Sequence, residues 1–310
     1  MLQNILFVIV GIALVLWGAD RLTNGAVAIA KRMNIPQIVI GLTIVAFGTS
    51  MPEFCVSLVS ALKGTPDLAV GNVVGSNIFN ALLVVGASAL CLPITIARST
   101  VKKDIPFALL ASIALLVMWQ ISPEINRIDA AILLVLFVAF MMYTLRLAKE
   151  GEVEEEEEKF NCSVGSAVFF IILGLACLIL GSNLFVNGAS ALAIDMGVSE
   201  AVVGLTIVAG GTSLPELATS LVAAWKGRSA IAIGNVLGSN VFNILFILGV
   251  TGVIQPMRPV GITMTDMIVM VVSMLLLWLF SYTKLKIERW EGAVLTVFFF
   301  GYMWYIIAGA

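Results

Sequence analysis

Two short motifs hold the residue types that bind a cation. Gly48-Thr49-Ser50-Met51-Pro52-Glu53 and Gly211-Thr212-Ser213-Leu214-Pro215-Glu216 each place a carboxylate, two hydroxyls and a proline within six residues. Proline has no N–H and its ring clashes with the carbonyl four residues back, so the carbonyls of Gly48 and Gly211 are expected to lose their helical partners. A broken helix then presents backbone oxygen beside an acid. Thr49 and Glu53 are four apart, as are Thr212 and Glu216, which puts each pair on one helical face. The segments that follow contain Gly71-Asn72-Val73-Val74-Gly75-Ser76-Asn77-Ile78-Phe79-Asn80 and Gly234-Asn235-Val236-Leu237-Gly238-Ser239-Asn240-Val241-Phe242-Asn243. Ser76 with Asn80, and Ser239 with Asn243, again share a face.

This donor set is made of oxygen. The chain has no His, and Cys55, Cys91, Cys162 and Cys177 show no CxxC spacing, so neither a zinc site nor a disulfide framework is indicated. Carboxylates, hydroxyls, amides and freed carbonyls suit hard cations such as Na⁺ and Ca²⁺. Two negative charges neutralise one Ca²⁺ or two Na⁺, and competition for one shared site couples two fluxes.

The elements that carry these motifs lie in lipid. Of the 310 residues 60% are hydrophobic and only 12% charged, too little polar surface for a water-soluble exterior. Apolar stretches long enough to cross a hydrocarbon core of about 30 Å recur along the chain. Ten are expected, at 3–30, 37–62, 68–92, 105–121, 128–147, 164–192, 200–225, 230–254, 262–283 and 291–308. The first lacks a basic n-region and outlasts a signal-peptide core, so it reads as a retained helix. Both Glu53 and Glu216 fall about midway along their spans, where an ionisable group costs at least about 2.5 kcal/mol and usually serves an ion pathway. Asn72, Asn77, Asn235 and Asn240 also suit packing between membrane helices.

Residues 38–86 align without a gap onto 201–249 at an offset of 163, with 29 of 49 positions identical. The offset reaches back to pair Gly11 with Gly174 and Asn24 with Asn187; after a one-residue slip, Arg127, Asp129 and Tyr143 pair with Arg289, Glu291 and Tyr305. The expected fold is therefore all-α, with ten transmembrane helices forming two five-helix repeats, 1–147 and 164–310, joined by an acidic linker at 148–163. An odd number of crossings per half inverts the second repeat, and its motif helices are broken at the core. Alternate loops carry thirteen and three Lys or Arg, with Arg21 left inside the first span. The positive-inside rule then places the linker in the cytoplasm and both termini outside, in a plasma or inner membrane. Glu152 and Glu154 to Glu158 lack the spacing of a Ca²⁺ loop and read as a solvated linker. Inverted repeats suit alternating access by exchange of conformations between halves.

At these motifs the chain resembles the cation/calcium exchanger superfamily, in its prokaryotic sodium/calcium exchanger branch, across nearly its whole length. The resemblance implies a secondary antiporter exchanging Na⁺ for Ca²⁺, with Glu53 and Glu216 as central Ca²⁺ ligands shared with Na⁺. It further implies that Thr49, Ser50, Thr212, Ser213, Ser76, Ser239 and the carbonyls of Ala46 and Ala209 complete the ion positions. Asn80 and Asn243 would line the middle of the cluster, and the first and sixth spans would slide to switch access. Some relatives, including the potassium-dependent branch, have Asp in place of Asn243.

Rival readings are a proton/cation antiporter using the same carboxylates, an intramembrane enzyme, and a cation channel. No HExxH, paired-Asp motif or nucleophile–His pair supports an enzyme. No cofactor, nucleic acid or obligate protein partner is indicated; the expected partners are Na⁺, Ca²⁺ and the bilayer.

Overall fold

In lipid every backbone N–H and C=O must find its partner within the protein, which for apolar segments of this length means helices. The computed structural model describes residues 1–150, 162–197, 203, 207 and 209–309, and these are almost wholly helical. The helices are α1 (Leu2–Met33), α2 (Gln37–Thr49), α3 (Met51–Leu62), α4 (Pro66–Cys91), α5 (Thr100–Ile121), α6 (Arg127–Glu150), α7 (Val164–Asp195), α8 (Ala209–Gly211), α9 (Leu214–Trp225), α10 (Ser229–Ile254), α11 (Met264–Lys284) and α12 (Arg289–Gly309). Among the described residues eight are long and apolar enough to span a membrane, or nine if α2 and α3, bent by 46° at their break, count as one span. The first half of the expected seventh span, 200–225, falls largely outside the described residues, as does the acidic run at 151–161.

Helix ends follow local chemistry. α1 stops at Asn34, which takes the left-handed conformation (φ 54°) that Asn tolerates better than most residues. Ser163 caps α7 by accepting the Ser166 N–H at 3.2 Å. Thr263 and Asp266 form a reciprocal capping box at the start of α11. α5 begins five residues before the expected start at 105. Lys102 and Lys103 read as loop residues, yet both lie exposed on this first turn, which lets their charged heads stay in water while the backbone is already helical.

Burial ranks the helices. In their most apolar windows α4 and α10 are 72% and 78% buried, against 22% for α1, α6 and α12, so the motif helices α4 and α10 occupy the centre and those three lie at the periphery. α4 and α10 are packed by α5, α6, α11 and α12 in one apolar cluster; α1, α7 and α9 form a second with Ile40 and Val45 of α2.

α1 and α7 run antiparallel in close backbone contact. A Cβ on Gly18 would lie 2.7 Å from the Gly174 carbonyl oxygen, one on Gly11 2.8 Å from that of Gly181, and one on Gly188 2.7 Å from that of Asn4. Glycines spaced by seven residues therefore keep one face of each helix free of side chains. Such approaches stabilise membrane helix pairs through dispersion, since lipid provides no hydrophobic drive between them.

Two backbone pairings tie the halves together. β1 (Ile94–Thr95) pairs with β2 (Lys286–Ile287) through Ile94 and Ile287, and Ile125 pairs with Met257. Ile94 corresponds to Met257 at the 163-residue offset, and Ile125 to Ile287 after the slip. The 22 residues of α5 lie between Ile94 and Ile125. At 1.5 Å per residue they separate the two pairings by roughly 33 Å, the thickness of a bilayer core.

Asp104 and Asp266 are likewise equivalent after the slip, and each accepts a tyrosine hydroxyl. Tyr143 donates to Asp104 at 2.8 Å, but Tyr302 rather than Tyr305 donates to Asp266 at 2.7 Å. Tyr305, the sequence counterpart of Tyr143, is 55% exposed one turn further along α12. The bond is retained while the residue that makes it has moved by a turn, which positional alignment does not register.

Candidate cation site

The break between α2 and α3 falls at Ser50, where ψ reaches 4°, and its counterpart before α9 falls at Ser213, with ψ of 6°. Pro52 and Pro215 stand in the first turns of α3 and α9, where a missing N–H costs nothing. Glu53 and Glu216 follow, each fully buried.

Each half supplies the hydroxyl that binds the other half's acid. Ser50 Oγ donates to Glu216 Oε1 at 3.0 Å and Ser213 Oγ donates to Glu53 Oε1 at 2.9 Å. Ser213 Oγ also lies 3.0 Å from Ser76 Oγ, and Ser239 Oγ lies 3.4 Å from Glu216 Oε1. Thr49 Oγ1 donates to Asn235 Oδ1 at 3.0 Å, and Thr212 Oγ1 to Asn72 Oδ1 at 3.3 Å. Ser50, Thr49, Ser76, Ser213 and Ser239 are buried and Thr212 is half-buried.

Asn72 and Asn235 belong to this network rather than to packing alone. Asn72 Nδ2 donates to the Glu53 carbonyl (3.0 Å) and Ser57 Oγ (2.9 Å). Asn235 Nδ2 donates to the Glu216 carbonyl (3.3 Å) and Ser220 Oγ (2.9 Å). Ser57 and Ser220 were absent from the sequence-derived set, although they too are identical across the repeat. Asn77 turns away to its own helix, donating to the Val73 carbonyl at 2.7 Å, and Asn240 Nδ2 reaches Met274 Sδ at 3.2 Å.

Asn80 and Asn243 sit at equivalent points on wider π-helical turns, Phe79–Val84 in α4 and Phe242–Ile247 in α10. Such turns rarely form and cluster at functional sites. The turn bearing Asn80 packs against α9, which carries Glu216, and the turn bearing Asn243 packs against α3, which carries Glu53. Both amides are fully buried, and neither their oxygens nor their nitrogens have a protein partner. Glu53 Oε2 and Glu216 Oε2 are unpaired and buried as well.

The Ala46 carbonyl accepts the Ser50 N–H at 3.0 Å and the Thr49 hydroxyl at 3.3 Å. Ala209 opens α8 at the edge of the described residues.

Leaving a buried polar atom unpaired costs about 1–3 kcal/mol, more for a charged one. Two carboxylate and two amide oxygens in this condition, contributed pairwise by two repeats, form an acceptor-rich core suited to a desolvated hard cation. The four elements that carry them come from both halves, so neither half alone assembles the cluster.

Comparison with known proteins places the whole chain in one family. The family described as sodium/calcium exchanger protein matches residues 3–146 and 166–308. Sodium/calcium exchanger MaX1 of Methanosarcina acetivorans is 30% identical, covering 97% of this chain and 97% of that protein. The inner membrane protein YrbG of Escherichia coli is 38% identical over 83% of this chain and 81% of its own length. A solved structure of the sodium-calcium exchanger NCX_Mj superposes with a TM-score of 0.85 and 34% identity, covering 96% of this chain and 97% of that one. With both halves matched, an oxygen-lined core between them and full-length likeness to a solved exchanger, this multi-pass membrane protein belongs to the sodium/calcium exchanger family.

Proposed function

We propose that the chain is a secondary antiporter that exchanges Na⁺ for Ca²⁺ by alternating access at the Glu53–Glu216 cluster. The observation that carries this reading is the set of fully buried, unpartnered oxygens on Glu53, Glu216, Asn80 and Asn243. Glu53 and Glu216 act as the shared Ca²⁺ and Na⁺ ligands; Thr49, Ser50, Thr212, Ser213, Ser76 and Ser239, with the carbonyls of Ala46 and Ala209, complete flanking positions. Ten spans form two inverted repeats, 1–147 and 164–310, about the 148–163 linker. Supporting this are the 163-residue offset, the paired site residues, and the two equivalent backbone pairings at either end of α5. The thirteen-to-three distribution of basic residues supports both termini outside and the linker in the cytoplasm of a plasma or inner membrane.

The test is Ca²⁺ uptake into proteoliposomes driven by an outward Na⁺ gradient, compared with a pH gradient alone. Uptake with Na⁺ and none with H⁺ is expected; the reverse would replace the reading with proton/cation exchange, and single-channel currents would replace it with a channel.

Ser50→Ala and Ser213→Ala are each expected to raise the Ca²⁺ half-saturation roughly tenfold or more, the scale of a hydrogen bond to a charged group. Because each serine serves the other half's acid, the two variants should weaken exchange to a similar degree. Initial uptake rates across a Ca²⁺ series measure this, and an unchanged half-saturation in both would remove the crossed contacts from the site.

With Asn at both 80 and 243, the central cluster carries two formal negative charges, so K⁺ should be dispensable. Equal Na⁺-driven Ca²⁺ flux with K⁺ and with choline is expected; an absolute K⁺ requirement would show that the amide does not decide potassium use.

A further inference from the structure

Outside the ion site, a polar cluster joins α1 to the loop that leaves α9. Asp20 and Asn24 stand one turn apart on α1, and Asn24 Nδ2 donates to Asp20 Oδ2 at 3.0 Å. Lys226 is ion-paired with Asp20 and also donates to Asn24 Oδ1 at 3.0 Å. Arg228 Nη1 donates to the same amide oxygen at 2.8 Å. Asn24 and Arg228 are buried, at 8% and 7% exposure. Around them α1 is closely packed, with residues 22–30 all buried and α1 lying along α9.

Among the described residues the inverted counterpart has none of this. At the 163-residue offset Asp20 becomes Asn183, Asn24 becomes Asn187, Lys226 becomes Lys63 and Arg228 becomes Thr65. Asn183, Asn187, Lys63 and Thr65 are all exposed. The equivalent stretch of α7, 185–193, has Gly188 as its one buried residue. The two repeats match at the ion site and differ here by one acid and one base.

We propose that Asp20, Asn24, Lys226 and Arg228 form a latch that holds the transporter closed at the end bearing Lys226, making its two access states unequal in free energy. If the halves exchange conformations, the opposite state brings Asn183 toward Lys63 and has no ion pair to set against the one it loses. The latch acts on sidedness and not on ion binding, because the described bonds of its four residues join α1 to the loop after α9 and not to Glu53 or Glu216. By the proposed orientation the closed end is cytoplasmic, so the inference rests on the antiporter reading above. A state-selective latch raises the apparent half-saturation at the closed face, in proportion to the fraction of molecules withheld from that face.

The test uses the full-length protein in inside-out and right-side-out membrane vesicles, measuring the Ca²⁺ half-saturation of Na⁺-driven exchange at each face. Asp20→Asn, which installs the counterpart's own residue, is expected to lower the cytoplasmic-to-external ratio of half-saturations roughly two- to fivefold, the scale of a partly exposed ion pair. Asn183→Asp, which offers Lys63 an acid, should move the ratio in the same direction. The exchange Asp20→Lys with Lys226→Asp should bring it back toward the parent value. Asn183→Asp leaves the existing cluster intact, so the test survives poor folding of the Asp20 variants. An unchanged ratio in Asp20→Asn and Asn183→Asp, in a protein that exchanges normally, overturns the latch. A shift of this size with opposite sign supports the latch and reverses the membrane orientation. Absence of Na⁺-driven Ca²⁺ uptake in the parent protein overturns the antiporter reading instead.

Discussion

Glu53→Gln and Glu216→Gln should each lower Na⁺-driven Ca²⁺ uptake by roughly a hundredfold or more, while the protein still folds and extracts as a monodisperse species. Glutamine matches glutamate in shape, and its carbonyl oxygen still accepts the serine hydroxyl that now reaches Glu53 at 2.9 Å or Glu216 at 3.0 Å. What it removes is one formal charge from a fully buried site that must neutralise a divalent ion. Removing one partner of a buried charge pair costs about 3–5 kcal/mol, which is roughly two to four orders of magnitude in affinity. Retained folding with lost flux separates charge from packing, because a structural role for the side chain predicts loss of both. The double variant should be little worse than either single one, since one charge is already too few. Flux like the parent's in either single variant would sink the proposed Ca²⁺ site.

Gly174→Val should sharply reduce both the yield of folded protein and, with it, total transport, by roughly fivefold or more if overpacking costs the usual ~1–3 kcal/mol. A Cβ at Gly174 would lie 2.6 Å from the Leu22 amide nitrogen and 2.7 Å from the Gly18 carbonyl oxygen. Both are backbone atoms inside a helix, so no side chain can turn aside and the two axes must separate. Separation would open the contacts at Gly11, Gly181 and Gly188 together, because they lie along one face. Gly301→Val is the control: a Cβ there meets nothing within 4 Å, and folding and flux should be unchanged. Thermal denaturation in detergent alongside vesicle flux reads both effects. Equal stability of the two variants would mean that α1 and α7 are not held by close backbone approach.

Much of the fold is legible in the sequence, because membrane insertion depends on hydropathy and length, which are local properties. Among the described residues the span edges lie within a few residues of expectation except at α5, where charged side chains on a helical turn resemble a loop until their exposure is known. Glu53 and Glu216 stood out for the same local reason: an acid in the middle of an apolar stretch is expensive wherever its neighbours lie. The repeat revealed that each feature has a partner.

Tertiary structure decided which groups meet. Hydrogen bonds from Ser50 to Glu216 and from Ser213 to Glu53 join residues about 160 apart in sequence, and no periodicity encodes which half a hydroxyl serves. In the sequence Asn72 and Asn235 suit packing as well as a site, and their bonds to Thr212 and Thr49 place them in the network. Ser57 and Ser220 carry no signal of their own in the sequence, because a serine is ordinary in a membrane helix until its partner is known. The same limit hid the asymmetry at Asp20: its exchange for Asn183 is plain in the aligned repeats, but its meaning depends on α1 lying against α9. Sequence determined what each residue is able to do and how deep it lies; packing of the two halves selected the partners, because selection is a property of distance across the fold.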